Sequence, residues 1–317
     1  MSATRIAPYV GGDLGAVVSL LANALTADPV TRAAFVRKVL LDPNFDAAGA
    51  PVARIGGAVA GFALAIARRV PLEDAPPDPD RGYVTLLAVA PEARGRGVGS
   101  ALLADAEAYL EARGRRVALV SPYAPGYWTP GVDVRAYPEA LRFLAARGYS
   151  EVYRPVAMDC ALPGLSRPAW VHEREAMLAA EGVRAAPCSA EQLPALLAFL
   201  AREFPGDWQR LAREAAASAE TGDRAARLWT AAGAGGEVLG FSHHDGERFG
   251  PIGVAAAHRG RGLGQVLMYK TLEAMRAEGL HAAWFLWSDD RTAERLYAAA
   301  GFRETRRFAV MRKELGT

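Results

Sequence analysis

PEARGRGVGSALL, residues 91–103, places three glycines and two arginines within the six positions from Arg94 to Gly99, directly after the apolar run YVTLLAVA and directly before a second apolar stretch. A glycine inside a helix or strand costs roughly 1 kcal/mol relative to alanine, so glycine at this density marks a turn that needs bare backbone. AAHRGRGLGQVLM, residues 256–268, repeats the arrangement. A strand, a glycine-rich turn and a helix are therefore expected twice in one chain.

The rest of the sequence follows the same duplication. RIAPYVGGDL at 5–14 matches RAAPCSAEQL at 184–193, and AVAGFALA matches EVLGFSHH. These matches pair Pro8 with Pro187 and Phe62 with Phe241, both 179 residues apart. Arg94 and Arg259 are only 165 apart, so the first copy carries fourteen extra residues in RRVPLEDAPPDPDRGY, a proline- and aspartate-rich loop. Gly148-Tyr149 and Gly301-Phe302 are 153 apart, which adds twelve more in SPYAPGYWTPGVDVRAYP. A period this long excludes a solenoid and implies tandem duplication of a whole domain. The linker CALPGLSRPAW, 160–170, divides the chain into expected modules at 1–162 and 168–317.

Each copy reads as a short strand, a helix opened near Asp13 or Glu191, and a second helix, followed by two tightly joined strands. Then come the strand, glycine turn and helix already described, another strand, a later helix and a final strand. DLGAVVSLLANAL and QLPALLAFLAREF carry apolar residues at three- and four-residue steps, and the post-glycine helices stop at Gly114 and Gly279. The expected class is α+β, with a mixed sheet and flanking helices in each copy.

Composition narrows the partners. A formal charge of +2 gives no electrostatic case for nucleic acid, and RGRG lacks the interleaved aromatics of an RNA-binding segment. Apolar runs such as AVAGFALAIA are too short to span a membrane, and the first residues lack a signal-peptide pattern. Cys160 and Cys188 form no disulfide framework, so a cytoplasmic location is expected. No metal site is expected either: five histidines fall in the second half, but the adjacent His243 and His244 would point to opposite faces of a strand.

Backbone N–H groups at the start of a helix, freed of side chains, form an anion cradle on the positive end of the helix dipole. Spacing decides which anion. Ser100 and Gln265 stand where a G-x-G-x-x-G dinucleotide loop needs its third glycine, and neither copy ends in the G-K-[ST] of a nucleotide-binding P-loop. The remaining pattern, R-x-x-G-x-G at Arg94–Gly99 and Arg259–Gly264, resembles the acyl-CoA pyrophosphate loop of the GNAT superfamily of N-acetyltransferases. TAERLYAAAGF at 292–302 resembles that family's later helix. Together these cover nearly the whole chain as two consecutive modules.

The resemblance implies two mixed, mostly antiparallel sheets with flanking helices, each binding acetyl-CoA or another short acyl-CoA. Cofactor residues carried over are Leu87, Ala88, Val89, Arg94, Gly95, Arg96, Gly97, Val98, Gly99 and Ser100 in the first module. In the second they are Ile252, Gly253, Val254, Arg259, Gly260, Arg261, Gly262, Leu263, Gly264 and Gln265. The implied reaction is direct attack of a primary amine, from a small molecule or a peptide, on the thioester in a ternary complex. Tyr297 occupies the position of the family's proton donor to the departing thiolate, whereas the corresponding position of the first copy is Leu144. The second module is therefore expected to be the catalytic one.

Glu247, in SHHDGER together with His244 and Asp245, is the candidate base, against the alternative of a polar hairpin turn. Tyr127, Asp133 and Tyr137 could replace the missing hydroxyl of the first copy, or its longer loop could be a packing wall. The competing functional classes are a non-catalytic acyl-CoA sensor or scaffold and an interaction platform that binds no cofactor.

Overall fold

The computed structural model describes residues 3–220 and 226–316 and divides into two compact units. The first comprises residues 1–71, 77–155 and 307–317; the second comprises 72–76 and 156–306.

In the first unit the chain runs through β1 (Thr4–Pro8), α1 (Leu14–Ala24), α2 (Arg32–Phe35), β2 (Pro51–Ile55), β3 (Ala58–Ala67) and β4 (Arg81–Val89). It continues through α3 (Val98–Ala112), β5 (Val117–Val120), β6 (Val132–Asp133), α4 (Pro138–Ala145) and β7 (Ser150–Tyr153). The second unit holds β8 (Val156–Ala161), α5 (Ala169–Ala180), β9 (Arg184–Pro187), α6 (Leu193–Glu203), α7 (Asp207–Glu220), β10 (Ala226–Ala232) and β11 (Val238–Asp245). Then follow β12 (Arg248–Val254), α8 (Leu263–Ala277), β13 (Ala282–Ser288), α9 (Asp290–Thr292) and β14 (Arg303–Glu314).

The expected helix–strand order is present in both copies. Asp13 accepts a hydrogen bond from the Val10 N–H at 3.0 Å and so fixes the turn that opens α1. Before α6 the corresponding turn carries a capping box between Ser189 and Gln192, one residue past the expected Glu191. β2 and β3 are joined at Gly56-Gly57, both with positive φ, as a two-residue hairpin requires. The helix expected over 292–302 is not regular. α9 is one turn, followed by a π turn over Ala293–Tyr297 and a 3₁₀ turn over Ala298–Ala300, and Gly301 at φ +88° stops it.

The first sheet runs β1-β2-β3-β4-β5, antiparallel except for β4 with β5, and is extended by the Arg307–Glu314 part of β14 against β5. The second runs β9-β10-β11-β12-β13-β8, again with one parallel pair, β12 with β13. The closing strand of each sheet thus comes from the other sequence copy. β8 lies at 156–161, inside the segment expected as the first module, yet it pairs with β13; the end of the chain pairs with β5.

The cores follow from the two periodicities. In the first unit the fully buried Phe62 of β3 packs on Phe35, with ring centroids 5.9 Å apart, whereas Gly61 before it faces Leu102 and Val98 of α3. In the second, Gly240 of β11 faces Leu267 of α8, whereas the next residue, Phe241, joins Phe199 and Leu200 of α6. Alternate strand residues facing opposite helices is the period-two signature of a covered sheet.

Candidate active site

In each unit the parallel strand pair opens into a fork. β4 pairs with β5 from Arg81↔Val117 to Val84↔Val120 and no further, although β4 runs on to Val89. β12 and β13 share a single pair, Arg248↔Trp284, and β12 continues to Val254. Leu87, Ala88 and Val89, and Ile252, Gly253 and Val254, pair only on the side away from the fork, with β3 and β11. No described strand pairs with their other edge. An irregular extra residue helps to part the strands: Leu64/Ala65 oppose Leu86/Val84, which bulges Thr85, and Ser242/His244 oppose Ile252/Phe249. The Nδ1 of His243 lies 3.0 Å from the Gly250 carbonyl oxygen within that second bulge.

Both forks lead into the glycine turns, and the two turns have the same conformation. Gly95 and Gly97 have φ of +70° and +81°, and Gly260 and Gly262 of +77° and +84°. These left-handed values explain why glycine stands there. Gly97 and Gly262 are the N-cap residues of α3 and α8, so the first N–H groups of each helix are free at these points. The structure thus brings the two groups of loop residues together with the open strand edges.

Individual side chains are used in ways the sequence does not show. Arg94 Nε donates to the Val89 carbonyl at 3.3 Å, and Arg259 Nε to that of Val254 at 3.1 Å, so each loop arginine clamps the end of its own strand. Ser100 Oγ accepts from Arg147, whose guanidinium lies 3.7 Å from the Phe143 ring centroid. Val98 and Leu263 are buried under their loops, and Gln265 is half-buried. Arg96 is exposed, without a hydrogen bond or ion pair among the described residues, whereas Arg261 pairs with Glu181 and lies 3.3 Å from His258 Nδ1. At Gly262 a methyl group would meet Arg174 of α5 at 2.6 Å, while at Gly97 it would meet nothing within 4 Å. Neither Arg174 nor Glu181 carries a motif that sequence reading could have found.

Tyr297 is buried at the fork of the second unit. Its ring lies 4.4 Å from that of Phe285 on β13, 6.3 Å from that of Phe249 on β12 and 5.4 Å from that of Phe302. Burial, with a smaller contribution from Asp289, pushes its phenol pKa up, so it stays protonated at neutral pH. Leu144 of the first unit is buried in the hydrophobic core, and Tyr149 follows at the position of Phe302.

Glu247 stands in the hairpin turn at the closed end of the β12–β13 fork. Its Oε1 accepts from the N–H groups of His281 and Ala282, each at 3.1 Å, and its carbonyl accepts from Trp284 N–H at 2.9 Å. It therefore fixes the start of β13. His244 is fully buried and Asp245 exposed, so the two do not face one another.

The longer loop of the first unit packs on the α1–α2 side. Lys38 Nζ donates to the Tyr127 carbonyl at 2.8 Å and lies 4.9 Å from the Trp128 ring centroid. The Tyr137 hydroxyl accepts from Ala27 N–H at 3.1 Å, and Asp133 Oδ1 accepts from the N–H groups of Arg135 and Ala136. In the second unit Phe204 stacks on Trp208 with ring centroids 4.6 Å apart, and both lie against Gly253, where a methyl group would meet Phe204 at 2.5 Å. The segment Leu72–Pro76 belongs to this unit. Gly206 N–H donates to the Glu73 carbonyl at 2.9 Å, Gln209 Nε2 donates to Asp74 at 2.7 Å, and Arg213 pairs with Glu73.

A cavity of about 290 Å³ lies apart from the fork, between α5, β9 and the first turns of α8. Leu178, Val183, Leu263 and Val266 form its apolar lining, and Glu175 and Lys270, 2.6 Å apart, contribute charge.

Two sheets, each forked where a parallel pair separates and each leading into a left-handed glycine turn on a helix N-terminus, define a two-module acyltransferase fold. The sequence profile of the Acetyltransferase (GNAT) family matches residues 23–123 and again 193–302, and the chain belongs to that family as a tandem of two GNAT modules. Solved structures share the fold. A GCN5-related N-acetyltransferase from Sphaerobacter thermophilus superposes with a TM-score of 0.71 at 19% identity, over 99% of this chain and 96% of that one. A tandem GNAT protein from the clavulanic acid biosynthesis pathway gives 0.65 at 21% identity, over 99% of both chains. The glucosamine N-acetyltransferase region of a fungal multi-domain GH3 β-N-acetylglucosaminidase gives 0.81 at 18% identity; it covers 98% of this chain, which spans 38% of that longer protein. No curated protein matches the chain by sequence. No helix among the described residues is long and apolar enough to cross a membrane.

Proposed function

We propose that this chain transfers an acetyl group from acetyl-CoA to a primary amine, with the chemistry in the second module. The observation that carries this reading is the placement of Tyr297 against both Phe249 and Phe285, one on each arm of the fork that ends at Gly260–Gly264. In such a fork the open edge of Ile252–Val254 would hold the pantetheine arm and the thioester carbonyl. Free N–H groups aimed at a developing oxyanion can contribute roughly 3 kcal/mol each. The amine nitrogen attacks the carbonyl carbon, the carbon–sulfur bond breaks, and the phenol of Tyr297 gives the thiolate its proton. The attacking nitrogen must shed a proton. Glu247 is the candidate base; it stands five residues before Ile252, at the closed end of the fork, with Oε1 committed to two N–H groups, so the proton would reach Oε2 through water.

The first module fits cofactor binding without that acid, since its fork and glycine turn match the second but Leu144 stands in the tyrosine's place. The acceptor panel is a polyamine, an aminoglycoside, a peptide with a free N-terminus and, because the fungal region above is described as a glucosamine N-acetyltransferase, glucosamine. The deciding experiment is thiol release from acetyl-CoA with this panel in the wild-type and Tyr297→Phe proteins, beside calorimetry of acetyl-CoA binding. Turnover that falls at least tenfold with binding unchanged supports the reading. Unchanged turnover removes Tyr297 as the acid, and binding without turnover on any amine favours a sensor.

A further inference from the structure

We propose that Arg174, on the helix that precedes the second module's first strand, is the phosphate-contacting cation of the second glycine loop, so that α5 forms part of that cofactor site. The inference rests on the reading that the loop holds the phosphates of an acyl-CoA.

The two loops are equal in backbone and unequal in charge. In the first, Arg96 is exposed and unpaired among the described residues, free to meet an anion. Its counterpart in the second, Arg261, is paired with Glu181, the residue that caps the C-terminus of α5. The same helix supplies a replacement. The side chain of Arg174 crosses the N-cap glycine of α8, with Cγ at 2.6 Å and Nε at 3.0 Å from where a methyl group on Gly262 would lie.

Arg174 has no hydrogen bond or ion pair with any described residue. A guanidinium laid across the N-cap of a fifteen-residue helix, at the glycine next to Arg261, is repelled by the positive end of the helix dipole and by that neighbour. A phosphate seated on the free N–H groups of Leu263 and Gly264 would convert that repulsion into a charge-assisted contact. α5 thus withdraws one arginine from the loop and presents another. In the first unit a methyl group on Gly97 would meet no atom within 4 Å, and at that helix start Arg147 reaches Ser100 instead.

The test is calorimetry of acetyl-CoA binding to the full chain carrying Gly97→Glu, which sets a negative charge in the first cradle and leaves the second loop as the measured site. In that background Arg174→Ala is expected to raise Kd about tenfold, Arg174→Lys to recover part of the loss, and the dependence of Kd on ionic strength to become shallower in Arg174→Ala. Equal or tighter binding by Arg174→Ala overturns the proposal, the tighter result making Arg174 an obstruction instead. No binding to the wild-type chain at all removes the cofactor reading itself, an outcome distinct from a second loop that binds equally well without Arg174.

Discussion

Arg259 Nε donates to the carbonyl of Val254 at 3.1 Å, closing the last residue of β12 onto the glycine turn that follows it. Arg94 does the same to Val89 at 3.3 Å. The first arginine of each R-x-x-G-x-G motif is therefore a clamp on the geometry of the cradle, holding the strand end and the helix N-terminus in one orientation. Arg259→Met keeps the aliphatic stem and removes the donor. It is expected to cost about 1 kcal/mol of stability and to weaken acetyl-CoA binding severalfold. Urea unfolding together with calorimetry checks both, and unchanged binding would show that the clamp does not position the loop.

Gly97 and Gly262 differ in surroundings but not in backbone. Alanine at either position must adopt a left-handed conformation, at a cost of roughly 1–2 kcal/mol. Gly262→Ala also pushes against Arg174, so it is expected to cost more than Gly97→Ala, and the excess should vanish when Arg174→Ala is added. Thermal unfolding of the two single variants and the double variant measures the difference. Equal costs for the two glycines would mean that Arg174 yields freely.

The ring of Tyr297 is packed on three phenylalanines while its hydroxyl is the group proposed for chemistry, which separates two substitutions. Tyr297→Phe keeps the packing and is expected to hold stability within about 1 kcal/mol, whereas Tyr297→Ala opens a core cavity and should cost about 3–5 kcal/mol by analogy with buried Phe→Ala changes. A large stability loss in Tyr297→Phe would mean that the hydroxyl is structural.

Burial lowers the pKa of both His243 and His244 in the folded chain. Asp245 and Glu278 oppose the shift, and Arg248 and Arg227 reinforce it. An unfolded histidine takes up its proton near pH 6.5, the folded ones only at lower pH, so in between the unfolded chain holds more protons. Stability is therefore full above about pH 6.5 and is lost as pH falls through the lower folded values. His244→Leu should remove its share of that loss, since His244 Nε2 is buried without a hydrogen-bond partner. Urea midpoints at pH 8 and pH 5.5 check this; identical midpoints for the wild-type chain would contradict it.

Asp74 sits at φ +54°, a strained value for a residue with a side chain, and accepts from the buried Gln209. Gln209 follows Trp208, whose ring packs with Phe204 beside Gly253. Asp74→Ala leaves the Gln209 amide short of a partner, at about 1–3 kcal/mol. If the α6–α7 turn borders the acceptor, it should raise KM for the amine and leave KM for acetyl-CoA unchanged. A parallel rise in both would place the effect on the fold as a whole.

The repeat, the element order and the two glycine turns were legible in the sequence because each depends on neighbours within a few residues. Glycine spacing marks left-handed turns, and apolar periodicity marks the buried face of a helix or strand. The expectation that 87–89 and 252–254 meet a cofactor came from family resemblance, and their pairing on one edge only is what the structure adds. The clamp role of Arg94 and Arg259 was not, because a loop arginine reads the same whether it faces a ligand or turns back on its own strand. Glu247 has the same ambiguity, and the two N–H groups that its Oε1 accepts come from residues 34 and 35 positions away, beyond any local pattern.

By itself, then, the sequence determined two GNAT-type modules, their order and the conformation of their loops, all set by local interactions. Only the tertiary structure decided that each sheet is closed by a strand from the other copy. β8 and the end of β14 occupy equivalent places in the duplicated sequence, and strand pairing, which is long-range, chooses between such equivalents. It also decided that α5 lays Arg174 across Gly262 and that Gly97 is left uncovered, since two copies of one motif carry the same local instructions and differ only in what packs against them.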